Sequence, residues 1–218
     1  QILLANGGSS SLTVGGATNL TNSGAGTTKR TYIGNAGDIT FNGDLTIVNN
    51  STATNSEVFL NFSPTSANAY NENIILSNTN ALSDGIFFGN NNGMCILNNN
   101  KTVTIGAGGF SAGTLQFRNF TQLSNTAQAI TLTGLSTIFE NYSSTWNGDV
   151  TFISPRHFTR GTTYNGVNYL EKNGAVNDPS VGGNIFNGNT EFLVSGTGYF
   201  MPANTVGNDF NANVMVMK

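Results

Sequence analysis

The residues of this 218-residue chain that could carry out chemistry are few: eleven carboxylates, one histidine and one cysteine. Glycoside hydrolysis needs two carboxyl groups converging at about 5–5.5 Å or 6.5–9.5 Å. The acids are Asp38, Asp44, Glu57, Glu72, Asp84, Glu140, Asp149, Glu171, Asp178, Glu191 and Asp209. Asp44 and Asp149 occupy the same place in "FNGDLTI" and "WNGDVTF". They could form a carboxylate pair or a calcium site, but acids behind Asn-Gly more commonly hydrogen-bond nearby backbone in turns. No stretch has the acid density of a calcium loop. One His and one Cys cannot build a metal site of those two residue types. Cys95, in "GMCILNNN", reads as a small buried hydrophobe. A nucleophilic cysteine would need a neighbouring base. No residue is assigned a catalytic, cofactor-binding or metal role, so the chain is read as a non-enzyme without a cofactor.

The densest polar cluster is "SPRHFTRG", with Arg156, His157 and Arg160. These three are candidate contacts for an anionic glycan or a partner carboxylate. The segment is expected to be a solvated loop, with Pro155 breaking the strand ladder at a corner or an edge.

The elements that must position these residues show in the hydrophobic pattern. Apolar residues alternate at Leu45 and Ile47, Val103 and Ile105, Leu115 and Phe117, and Ile130 and Leu132. That is the period of strands with one buried face. Gly (27) and Asn (35) punctuate them, so helices should be few or absent. Only 9% of residues are charged, against about 25% in an ordinary globular chain. The net charge is −3 and there is no basic stripe to neutralise phosphates, which argues against nucleic acid as a partner. No apolar run is long enough to cross a bilayer as a helix. The aromatic girdles and long-looped hairpins of a membrane barrel are not evident, so no membrane insertion is expected.

The heptapeptide pattern recurs. Phe41-Asn42-Gly43, Trp146-Asn147-Gly148, Tyr164-Asn165-Gly166, Phe186-Asn187-Gly188 and Phe210-Asn211 each place an aromatic before a turn and a short alternating strand. The last four copies start about 18 to 24 residues apart, the mark of a solenoid. Such a unit cannot bury a core alone; stacked on its copies it makes a continuous one. Asn-Gly is expected to supply positive φ at a sharp corner. Asn residues at that corner are expected to stack as a hydrogen-bonded ladder, with the aromatics pointing inward. The fold class expected is all-β, a parallel β-solenoid, with residues 1–218 forming one segment slightly longer than one long repeat. About ten rungs would span near 50 Å.

"TFNGD", "SGTGYF", "KTVTIGAGGFSAGTLQFRNFTQ" and "GGNIFNGNTEFLVSGTGY" resemble the Gly/Asn/Thr-rich repeats of giant secreted surface proteins of Bacteroidota, of the type IX-secreted adhesin or fibre kind. The resemblance implies a solenoid shaft on the bacterial cell surface. Its partners would be adjacent repeats or subunits in a homo-oligomer or filament, and glycans or surfaces. The alternatives are a carbohydrate-active β-helix enzyme and a phage-like trimeric fibre. The chain opens on Gln1 rather than Met and reads as a piece of something longer, with "ILLA" and "VMVM" at opposite ends of the stack.

Overall fold

In the computed structural model, which describes residues 2–8 and 10–218, the chain winds as nine coils of three strands each. The first coil is Ile2–Leu4, Ser11–Val14 and Thr18–Asn22; the last is Phe200–Met201, Asp209–Phe210 and Val214–Met217. Strands pair in parallel with the equivalent strand of the next coil except at two places, between Val103–Phe110 and Gln128–Thr131 and between Arg156–Arg160 and Asp178–Pro179, and this stacking defines a parallel β-solenoid. One sheet runs unbroken through all nine coils, from Ser11–Val14 to Asp209–Phe210. At about 4.8 Å per coil the stack is roughly 40 Å long, slightly shorter than ten rungs would make it. The coils are unequal: Asn71 bonds Asn42 across 29 residues, Asn165 bonds Asn147 across 18, and Asn211 bonds Asn187 across 24.

The interior is built from columns of side chains in register. In the first sheet, Val58, Ile86, Leu115 and Phe139 form one column, and Ile33, Leu60, Phe88 and Phe117 the next. All eight are buried. The aromatics of the recurring motif end the second-sheet strands. Phe41 stacks on Tyr70 at 5.7 Å, Tyr164 on Phe186 at 4.8 Å, and Phe186 on Phe210 at 5.0 Å. Phe41, Trp146, Tyr164 and Phe186 are fully enclosed. Phe210 differs: it is 41% exposed, because it lies in the ninth coil with Phe186 stacked on one face and Phe192 edge-on, and its other face open.

At the next corner an Asn ladder climbs the outside. Asn71 donates to Asn42 at 2.6 Å, Asn98 to Asn71, Asn165 to Asn147 at 2.6 Å, Asn187 to Asn165 at 2.6 Å, and Asn211 to Asn187 at 2.7 Å. The ladder is interrupted in the fifth coil. There Leu123 takes the place of Asn, its N–H bonded to Leu97 O, and Asn147 donates instead to Gln122 O at 2.7 Å.

The glycines of this corner are required for a different reason from the one the sequence suggests. Neither Gly43, Gly148, Gly166 nor Gly188 has positive φ. A Cβ on Gly188 would lie 2.0 Å from Gly166 O, and one on Gly43 would lie 2.3 Å from Gly16 C. Backbone stacks directly on backbone there, and a side chain would hold the coils apart. Left-handed residues sit at the other corner, between the first and second sheets. Ala5, Gly34, Asn61, Gly89, Asn119, Ser143 and Gly161 all have φ between 47° and 69°.

Side chains replace the backbone ladder where strands of successive coils separate. Gln128 Oε1 accepts the N–H of Val103 at 2.8 Å, across the break between the two halves of the third sheet. In the eighth coil, Asp178 accepts the N–H of His157 at 3.0 Å and Ser180 the N–H of Thr159 at 3.1 Å. A buried N–H left without a partner would cost about 1–3 kcal/mol, so these polar residues are part of the fold.

Candidate functional site

The segment Ser154–Gly161 is not a solvated loop. Arg156–Arg160 is a strand of the first sheet, paired residue for residue with Ile138–Tyr142, which in turn pairs with Thr114–Arg118. Pro155 lies at the corner where the chain leaves the third sheet, as its missing N–H requires. Alternation then sorts the cluster. His157 and Thr159 point inward and are buried; Arg156, Phe158 and Arg160 face outward.

His157 is therefore removed from any ligand. It packs edge-on to Phe139 at 5.0 Å and stacks with Phe200 at 5.3 Å, and neither ring nitrogen has a hydrogen-bond partner among the described residues. Burial without a partner pulls its pKa down to about 3, so it is neutral in the folded chain. Arg156 is committed to the structure: its Nε donates to Asp178 Oδ1 at 3.0 Å, and its guanidinium lies 5.2 Å from the Phe158 ring centroid. Asp178 is fully buried, with Lys172 Nζ 4.0 Å from its other oxygen. Burial raises the Asp178 pKa against the opposing pull of its hydrogen bonds and of the two cations. Lys172 is also buried; its ammonium donates to Gly174 O at 2.6 Å. Of the three residues singled out in the sequence, Arg160 alone is open to a ligand.

The register of the first sheet sets two further residues beside it. Arg118, Tyr142 and Arg160 are direct cross-strand neighbours in three successive coils, each standing just before the left-handed corner residue Asn119, Ser143 or Gly161. Arg118, Tyr142, Ser143, Arg160 and Asn92 line a cleft of about 190 Å³. The Arg118 guanidinium lies 5.4 Å from the Tyr142 ring centroid. Glu140 stands on the outward face two residues before Tyr142, and burial raises its pKa despite the nearby cations Arg118 and Arg156. Burial, with Glu140 beside it, likewise raises the Tyr142 phenol. Neither Arg118 nor Arg160 has a carboxylate within 4.0 Å among the described residues. Across from Glu140, Gln116 is nearly buried and its Nε2 has no acceptor. The arrangement leaves two guanidinium groups without a carboxylate partner on one cleft among the described residues.

The other candidate residues have structural partners. Asp44 Oδ1 accepts the N–H of Asn73 at 3.1 Å, and Asp149 Oδ1 the N–H of Val167 at 2.8 Å. In each case the carboxylate caps the backbone of the following coil. Cys95 is buried, its thiol 3.8 Å from the Tyr70 hydroxyl, and burial pushes its pKa up to about 12. A thiol held protonated in this way is not a nucleophile at neutral pH. Among the described residues no three of His, Cys, Asp and Glu come together as metal ligands would. No family model, curated protein or solved structure matches the chain.

Proposed function

We propose that this chain is a shaft segment of a bacterial extracellular adhesin or filament, acting through a rigid solenoid at the cell surface. The observation that carries the reading is the continuity of the stack. One sheet passes through all nine coils, aromatic columns run inside it, and an Asn ladder runs along its corner. Inter-coil hydrogen bonds then lie along the long axis, where tension on a surface fibre would act. The side chains that commonly perform catalysis are used otherwise: the one thiol and the one imidazole are both in the core.

The reading extends to assembly. The strands Ile2–Leu4 and Val214–Met217 are open edges at opposite ends of the stack, each paired on one side. Val216, Met215 and Phe210 are exposed there, Val216 by 73%. An apolar open edge invites strand pairing, so a second copy would stack its coils on this one. Sedimentation velocity across a concentration series tests this. The chain should associate end to end, and Val216→Lys should weaken that association. A chain that stays monomeric at high concentration would remove the basis for a stacked filament.

A further inference from the structure

We propose that the cleft between Arg118 and Arg160 is a binding site for an anionic oligosaccharide, with an acidic group of the sugar held between the two guanidinium groups. This goes beyond the shaft reading and does not depend on it. Three observations support it.

The first is the pairing of charges. The chain has eight Lys and Arg residues. Arg30, Lys101, Arg156 and Lys172 each face a carboxylate within 4.0 Å. Arg118 and Arg160 do not, and both line the same cleft. Two like charges placed two coils apart repel each other, and an anion between them reverses the sign of that interaction. Glu140 offsets Arg118 in part; burial raises its pKa against the opposing pull of the Tyr142 hydroxyl and of Arg118 and Arg156.

The second is the supply of donors. Asn92 and Ser143 line the cleft with the two arginines, and a side-chain amide and a hydroxyl can each donate to a sugar oxygen. A sugar bearing a carboxylate or sulfate is rich in acceptors, and the planar guanidinium fork binds oxyanions through paired hydrogen bonds.

The third is preorganisation. Thr114–Arg118, Ile138–Tyr142 and Arg156–Arg160 pair along all five residues without a register shift. The two arginines therefore lie two coil spacings apart, about 9.6 Å between backbones. Tyr142, held between them in register, adds an apolar wall beneath the Arg118 guanidinium. Because these residues stand on strands rather than on a loop, little backbone ordering is needed on binding.

The test is isothermal titration of the chain with four probes: an oligogalacturonate, a heparin oligosaccharide, a neutral dextran oligosaccharide and inorganic sulfate. One or both acidic oligosaccharides should bind, more weakly as salt rises, and comparison of the two identifies carboxylate or sulfate as the recognised group. Dextran should not bind, and sulfate alone should bind far more weakly than the oligosaccharides. Arg118→Gln and Arg160→Gln should each lower affinity about tenfold, the loss of one charge-assisted contact. Both side chains stand on the outward face, so unchanged far-ultraviolet circular dichroism is expected. Lys101→Gln, on another face, should leave affinity unchanged. Failure of both acidic oligosaccharides to bind, equal binding of dextran, or full affinity in the Arg118→Gln/Arg160→Gln double variant would overturn the proposal.

Discussion

Replacing Phe186 by Ala tests whether the aromatic column holds the coils together. Phe186 is fully buried and nearly parallel to two rings: Tyr164 at 4.8 Å and 1°, and Phe210 at 5.0 Å and 9°. Phe192 meets it edge-on at 5.5 Å. Truncating a buried Phe costs about 3–5 kcal/mol through lost transfer and the cavity left behind. Two sheets fix the backbone around Phe186, so the cavity cannot collapse, and the cost should lie in the upper half of that range. Phe210→Ala is the internal control. That ring is 41% exposed, stacked on Phe186 alone and met edge-on by Phe192 at 6.1 Å, so its removal should cost about half as much or less. Because a stack of coils need not unfold in one step, urea denaturation should be paired with hydrogen exchange read by mass spectrometry. In Phe186→Ala the amides of Thr163–Tyr164 and Asp209–Phe210 should exchange faster, while those of Lys29–Ile33 stay unchanged. The reasoning fails if Phe210→Ala is as costly as Phe186→Ala, or if Phe186→Ala costs less than about 1 kcal/mol.

Leu123→Asn should close the gap in the outer Asn ladder, accepting from Asn147 and reaching Asn98, and raise stability by about 0.5–1 kcal/mol in the same melts. Gly188→Ala should lower stability by about 1–3 kcal/mol by pressing a methyl group on Gly166 O, whereas Gly207→Ala, which meets nothing within 4 Å, should be close to neutral. His157 has a pKa of about 3 when folded, against about 6.5 when unfolded, so in that interval the unfolded chain binds the extra proton. Its contribution to stability is therefore present above about pH 6.5 and is lost as pH falls towards 3; His157→Leu should flatten that part of the stability–pH curve, and an unchanged slope would show that the imidazole is not held neutral.

How much of this was legible in the sequence depended on strand length and on which way side chains face. The alternation at Leu45 and Ile47, or Leu115 and Phe117, located third- and first-sheet strands that are five residues long. Most second-sheet strands were not visible as strands. Thr145–Trp146, Thr163–Tyr164, Ile185–Phe186 and Asp209–Phe210 have two residues each, too few for a period of two to register. What betrayed them was the aromatic-Asn-Gly motif at their ends. In Arg156–Arg160 the usual polarity is inverted: Phe158 is outside, and His157 and Thr159 are inside. A reading based on apolar alternation turns such a strand into a loop. Arg118 and Tyr142 escaped notice because each is an isolated polar residue in its own segment. Their shared signal is positional. "FRN", "NYS" and "TRG" each place a large side chain just before a small or Asn residue with positive φ, so aligning coils on that corner would have stacked Arg118, Tyr142 and Arg160.

The scarcity of charge gives the Arg118–Arg160 cleft its weight. A chain with net charge −3 repels a polyanion overall, and its neutral Asn, Thr and Ser surfaces offer nothing strong enough to offset that. Most of the acidic and basic groups near the site are already balanced: Asp178 by Arg156 and Lys172, and Glu140 in part by Arg118. Arg118 and Arg160, without a carboxylate within 4.0 Å among the described residues, share one cleft on one sheet, fixed in register by three coils. Screening acts on an exposed pair over about 8–10 Å at physiological salt, close to the separation of the two arginines. An anion bridging them is therefore bound by short-range contacts with both, and a sugar whose acidic group is displaced by one residue along its chain reaches only one. A single site of this kind binds weakly. Repeated along a rigid stack, it would bind a polymer strongly, because the register that aligns Arg118 with Arg160 would also align each site with the next.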